Sequence, residues 1–264
     1  MTNIHPSAIV EQGAQIDASA TVGAFCVVGS KVKLAAGVKL HSHVVVGGDT
    51  EVGENTEIFS FASIGQVPQD LKYAGEPTKL SIGKNNKIRE HVTIHLGTVQ
   101  GAGITIVGNN CLFMVGSHIA HDCVVGNNVI LANNATLAGH VVVEDFAIIG
   151  GLSAVHQFVR IGKHAMVGGM SGIEADVIPY GNAFGERASL QGLNLVGLKR
   201  RGFEKAEIHN LRSAFKQIFE GEGNIAQRTK QAKTDFASST AVQEIIDFIV
   251  ADSSRALCKP KQLL

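Results

Sequence analysis

The sequence has no tryptophan, two tyrosines and five prolines, and aromatic residues make up 5% of its 264 positions. An ordinary globular core draws much of its bulk from aromatic rings. This interior must instead be filled by small and branched aliphatic side chains, which points to something narrow and regular. An excess of one charge is also missing, since 23 Lys/Arg balance 23 Asp/Glu; that argues against non-specific nucleic-acid binding. No apolar run reaches the roughly 18 residues needed to span a bilayer. The N-terminal segment Met1-Thr2-Asn3-Ile4-His5 has neither the basic nor the apolar stretch of a signal peptide. A cytoplasmic chain with no stable membrane insertion and no disulfide framework is therefore expected. Its four cysteines, Cys26, Cys111, Cys123 and Cys258, have no CxxC or zinc-type spacing. The 45% hydrophobic content excludes disorder, and the 30 glycines do not recur every third residue, which excludes collagen.

What is present is a period of six. From Ile4 the sixth-residue positions are Val10, Ile16, Val22, Val28, Leu34, Leu40, Val46, Val52, Ile58 and Ile64. The register resumes at Ile82, Ile88 and Ile94, and again from Val107 through Phe113, Ile119, Val125, Leu131, Leu137, Val143, Ile149, Val155, Ile161 and Val167 to Ile173. Every position but Phe113 is Ile, Leu or Val. Glycine often follows directly, as at Gly23, Gly126 and Gly168, and a small residue usually stands two positions before, as at Ala20, Ala62, Ala135 and Ala165. Cys26, Cys111 and Cys123 fall in that small slot, so they read as buried packing rather than redox or metal groups. A helix of 3.6 residues per turn cannot carry a six-residue period, whereas short strands joined by tight turns can. The pattern is that of a hexapeptide β-helix of about nine coils, with glycine expected where the backbone bends sharply.

The repeat breaks at residues 66–79 and 96–104, where inserted loops are expected to serve binding. Beyond residue 190 it is gone. Residues 204–221 read as a helix with Ile208, Leu211, Phe215 and Phe219 along one face, followed by helices over 224–236 and 241–251. The chain thus divides into a β-helix domain, 1–190, and an α-helical C-terminal domain, 191–264. The second holds twelve Lys/Arg against eight Asp/Glu, a surplus of four positive charges that the first domain balances. A basic tail suits an acidic partner.

With three hexads per coil, residues 18 apart stack about 4.8 Å from each other. His121, Gly139 and Gln157 then form one column, and Asp122, His140 and Phe158 the next. His118, His121, Asp122, His140, His156 and Gln157 should line one wall. Such a wall could hold a general base, with His121 oriented by Asp122, or a three-histidine zinc ion, or merely fill polar turn positions.

Several long segments sharpen the choice. They are Gly116-Ser117-His118-Ile119-Ala120-His121-Asp122-Cys123, Ile130 to His140, Gly150-Gly151 with Ala154-Val155-His156-Gln157-Phe158, Gln69 to Thr78, and Gly197-Leu198-Lys199-Arg200-Arg201-Gly202-Phe203. Together they make the whole chain resemble the acyl-carrier-protein-dependent UDP-N-acetylglucosamine O-acyltransferases of lipid A synthesis. The resemblance implies a mainly β protein, a left-handed parallel β-helix followed by the helical domain. It implies transfer of an (R)-3-hydroxyacyl chain from acyl carrier protein to the sugar 3-hydroxyl, with no acyl-enzyme and no cofactor or metal. His121 would be the base, Asp122 its orienting carboxylate, and the Gly139 N–H the oxyanion donor. Asp70, Lys72, His118, His140, His156, Gln157, Asn194 and Arg200 match substrate contacts. A homotrimer with sites in the clefts between prisms is implied, and the basic tail would meet the acidic carrier protein.

The chain departs from the family pattern at Val196, where an acidic residue is usual, so a 3-amino sugar analogue is a conceivable acceptor. Gly169, followed by Met170, stands where acyl length is set; glycine leaves room for a long chain. The sister N-acyltransferases carry an extra N-terminal domain for which hexads beginning at Ile4 leave no space. A zinc-dependent hexapeptide carbonic anhydrase and a non-catalytic scaffold are the competing classes.

Overall fold

The computed structural model describes residues 3–261. Most hexads yield a two-residue strand whose second residue points inward, as in Thr21–Val22, Val27–Val28 and Lys33–Leu34. Among the described residues the strands stack, all but the last of them in parallel, into three sheets of eleven, nine and eight, the faces of a triangular β-helix. Partners lie 18 residues apart, as in His118↔Thr136 and Thr136↔Ala154. The insertions stretch this spacing to Ser63↔Thr93 and Thr93↔His118. The aliphatic positions from Val22 onward are buried, and Phe113 is 0% exposed within the same core. The small slot behaves as expected: Cys26, Cys111 and Cys123 are buried, free thiols. Burial pushes Cys111 up to about 11 and Cys123 up to about 12, which keeps both protonated and unreactive.

The glycines that follow the aliphatics do something other than expected. Gly53, Gly108 and Gly126 do not adopt positive φ. They let stacked backbones touch: a Cβ on Gly53 would sit 2.6 Å from Gly83, and one on Gly108 2.6 Å from Gly126. The left-handed corners belong mainly to other residues, including Asn85, Asn110, Asn128, Asn134, His140 and Phe158. Asparagine tolerates that region; an aromatic residue does so at a cost of ~1–2 kcal/mol. Ring stacking between coils offsets it, as in Phe25–His43, His43–Phe61 and Phe61–His91 at 5.0–5.2 Å. One edge carries a polar ladder instead. The Asn109 N–H donates to the Asn127 side-chain oxygen and the Asn127 N–H to Asp145, at 2.9 and 2.7 Å.

The junction with the tail is more elaborate than a break at 190. Gly181–Phe184 pairs with an antiparallel strand, Ser189–Leu193, that crosses the expected boundary. A short helix not read from the sequence, α1 (Leu195–Arg200), follows. It lacks a helical apolar period because its six residues make under two turns. The expected helices are present as α2 (Lys205–Glu220), α3 (Ile225–Asp235) and α4 (Thr240–Val250). Among the described residues no helix is long and apolar enough to cross a membrane. An ion pair and a cation–π contact clamp tail to prism. Tyr180 and Lys163 both bind Glu244 of α4, the lysine at 2.7 Å. Arg160 pairs with buried Asp176 at 2.7 Å and lies over the Phe248 ring.

His164 sits in that junction, stacked between Phe146 and Tyr180 and edge-on to Phe203. It is buried and its Nδ1 has no hydrogen-bond partner among the described residues. Burial, then the Arg201 and Lys163 charges, lowers it to about 4. In the unfolded chain it titrates near ~6.5. Between those values the unfolded state binds the extra proton, so stability is full above the upper value and declines as pH falls toward the lower one. The melting temperature should therefore drop from pH 7 to pH 4.5, and His164→Phe, which keeps the stack, should flatten that slope. An equal slope in the variant, read by thermal denaturation across the range, would remove His164 from the account.

Candidate active site

The strand His118–Ile119 ends at Ala120, and the chain turns at Asp122, whose φ of 58° is left-handed. His140 and Phe158 occupy the same corner one and two coils on, with φ of 62° and 65°. Their rings stack at 4.4 Å. The columns expected from an 18-residue coil are thus present.

Asp122 is the most constrained group. Its side chain is 1% exposed, and the second inserted loop wraps it. Thr98 donates its N–H to both carboxylate oxygens at 3.0 and 3.1 Å and its hydroxyl at 2.6 Å. The Ala102 N–H donates at 3.1 Å, and His121 Nδ1 lies 2.9 Å away. A Cβ on Gly101 would collide with the carboxylate, which explains that glycine. Burial works to raise the carboxyl, but the Thr98 hydroxyl, the His121 ring and the Thr98 N–H outweigh it and hold it below its usual range. The loop at 96–104, expected to bind substrate, cages the carboxylate. Thr98 and Ala102 escaped the sequence reading because an insertion has no register to place them.

An ionised Asp122 accepts a hydrogen bond from His121 Nδ1–H, which leaves Nε2 as the basic atom. The ring lies against Gly139: a Cβ there would be 2.5 Å from His121 Cε1. The Gly139 carbonyl accepts from the Phe158 N–H at 3.1 Å, while its own N–H donates to no group among the described residues. His140 stands edge-on to His121 at 5.1 Å, with Nε2 3.9 Å from Asp122. Burial lowers His140 more than Asp122 and Asp70 raise it. His118 faces the Thr93 hydroxyl at 2.7 Å through Nδ1. Burial, then His95 and His121, lowers His118 to about 4, so it is neutral. His95 itself is buried, edge-on to His118 at 5.0 Å. Sequence reasoning missed it because the 18-residue ruler fails across the insertion that separates them.

The remaining candidates lie around this centre. Asp70 caps its own loop by accepting the Lys72 N–H at 2.9 Å. His156 and Gln157 both contact Arg255, discussed below. The Asn194 side chain is spent on structure, capping α1 through Gly197 N and donating to the His164 carbonyl. It borders a cavity of about 560 Å³ shared with Val196, Arg200 and Arg201. Gly169 lies against the Gly151 carbonyl of the previous coil, and the neighbouring Met170 is 75% exposed.

Residues 176–258 match a family model described as UDP N-acetylglucosamine O-acyltransferase, domain 2, and residues 104–139 match six bacterial transferase hexapeptide repeats. The chain is 65% identical over 260 residues to the acyl-[acyl-carrier-protein]–UDP-N-acetylglucosamine O-acyltransferase of Methylobacterium radiotolerans, covering 98% of this chain and 96% of that one. The enzyme of the same name from Rickettsia canadensis is 52% identical over 257 residues, 97% of each. The crystal structure of UDP-N-acetylglucosamine O-acyltransferase from Moraxella catarrhalis superposes with a TM-score of 0.94 at 44% identity, over 98% of this chain and all of that one. With the repeat, the tail and the caged His–Asp pair all in place, the chain belongs to the UDP-N-acetylglucosamine O-acyltransferase family.

Proposed function

We propose that the protein transfers an (R)-3-hydroxyacyl group from acyl carrier protein to the 3-hydroxyl of UDP-N-acetylglucosamine, the first step of lipid A synthesis, in the cytoplasm. The observation that carries the mechanism is the His121–Asp122 pair in its cage. His121 Nε2 takes the proton of the sugar hydroxyl as its oxygen attacks the thioester carbonyl. The Asp122 carboxylate stabilises the imidazolium that forms. The tetrahedral oxyanion is met by the free N–H of Gly139. Collapse expels the carrier thiolate, which recovers the proton from His121, so no acyl-enzyme forms.

His140, His118, His156, Gln157, Asp70 and Lys72 supply acceptor and donor contacts, and Arg200 a phosphate contact beside Asn194. Gly169 and Met170 bound the acyl chain. A homotrimer would close the open wall into a pocket; Leu71, fully exposed in the first loop, suits burial by a neighbouring prism. The carrier protein would dock on the tail, where His209, Arg212 and Lys216 rim a cavity of about 430 Å³ with Leu193, Leu195 and Phe215. A resident metal is disfavoured by the donor set. Although His121, Asp122 and His140 have ligand atoms within 4.8 Å of one another, the Asp122 oxygens are already taken by Thr98, Ala102 and His121.

The test is acyl transfer from 3-hydroxyacyl carrier protein, run with UDP-N-acetylglucosamine and with its 3-amino analogue as acceptors. His121→Ala should lower kcat by about 10²–10⁴-fold; retained activity would defeat the base assignment. A faster reaction with the amino acceptor would trace to Val196. Thr98→Val keeps the N–H bonds and removes the hydroxyl that holds Asp122 ionised. It should lower kcat about tenfold and move the acid limb of the pH–rate profile upward, because the carboxyl then protonates at higher pH. An unshifted limb would show that the hydroxyl is dispensable.

A further inference from the structure

The segment after α4 returns to the prism as a strap held by one buried carboxylate. Asp176 is 1% exposed. One oxygen accepts the Arg160 N–H at 2.8 Å; the other accepts Arg160 Nε at 2.7 Å and the Ser253 hydroxyl at 2.6 Å. Its backbone binds the strap on both sides, through the Ala256 carbonyl and the Cys258 N–H, each at 2.8 Å. The Ser253 oxygen also accepts the Arg255 N–H at 3.2 Å. Arg255 is thereby fixed where its side chain reaches the catalytic wall, donating from Nε to the Gln157 carbonyl and from its terminal nitrogen to His156 Nδ1, both at 2.8 Å.

A guanidinium can only donate. A proton on His156 Nδ1 would face the arginine N–H head-on, so Nδ1 is the acceptor and the ring proton sits on Nε2. The alternative partner for Nδ1, the Gln157 carbonyl, is farther at 3.3 Å and already takes the arginine Nε. His156 shares its corner with Gln157 and Phe158, and Phe158 stacks on His140, which faces His121. We propose that Arg255 is a positioning residue that locks His156 as a neutral imidazole with a single Nε2–H donor, aimed at an oxygen of the sugar nucleotide. The C-terminal strap is then part of the substrate site. This rests on the reading of His156 as an acceptor contact.

The geometric half is testable without substrate. In ¹⁵N-histidine-labelled protein at pH 8, with the His156 resonances identified by their loss in His156→Gln, Nδ1 should appear unprotonated and Nε2 protonated. Arg255→Met should give a mixture of tautomers with the melting temperature little changed. In the transfer assay, Arg255→Met and His156→Gln should each raise KM for UDP-N-acetylglucosamine about tenfold with kcat nearly constant. The double variant should be no worse than either, and Arg255→Lys should recover part of the loss. A protonated Nδ1 in the native protein, or KM effects that multiply in the double variant, would overturn the proposal. A native tautomer as expected combined with an unaltered KM in His156→Gln would also overturn it, and would place the failure in the substrate contact. Absence of transfer by the unaltered enzyme would place it in the proposed reaction.

Discussion

Everything in this molecule depends on the close stacking of coils in a prism too narrow for bulky side chains. Each hexad can send one branched aliphatic and one small residue inward, and backbones of successive coils meet so closely that a Cβ at Gly53 or Gly108 has no room. That constraint accounts for the missing tryptophan, the abundant glycine and the mute cysteines together. It also turns the sequence into a ruler. Because register cannot slip without unpacking the interior, residues 18 apart are obliged to touch, and chemistry can be built from side chains far apart in the chain with little backbone freedom to lose.

The site shows what the repeat can and cannot do alone. It delivers His121 over Gly139 and stacks His140 on Phe158, positions fixed by coil geometry. It cannot ionise a carboxylate inside a nearly dry corner. That takes donors from outside the repeat, and the loop at 96–104 supplies them through Thr98 and Ala102. Removing water from Asp122 raises the cost of its charge, and the hydrogen bonds repay it, leaving a fixed negative group against His121 Nδ1. The break in the pattern is therefore as functional as the pattern.

Legibility in the sequence followed the same line. The strands, the inward positions, the His121–Gly139 and His140–Phe158 columns and three helices were readable because each rests on a period. His95, Thr98 and Arg255 were not, since each reaches the site across an insertion or from the strap, where spacing carries no information. Asn194, expected as a substrate contact, also caps α1 and donates to the His164 carbonyl, a local use that residue type alone does not reveal. The glycines were assigned to bends on general grounds, whereas contact between coils is what excludes a side chain there. The position at 190 falls inside an antiparallel strand, Ser189–Leu193, which leaves the six-residue period while still belonging to the eleven-stranded sheet.

The balanced net charge also takes on structure. Its halves are of opposite sign, and the junction between them is not neutral in effect. Glu244 of the tail is consumed by Lys163 and Tyr180 of the prism, and Glu207 accepts from Ser239 and Ala241 to cap α4. Two of the tail's acids are thus engaged locally, while Arg212 and Lys216 border a cavity on α2 together with Glu220. A tail with a surplus of positive charge would speed encounter with an acidic carrier by steering it. The ion pair that helps dock the tail and the field that would attract the donor arise from one distribution of charge.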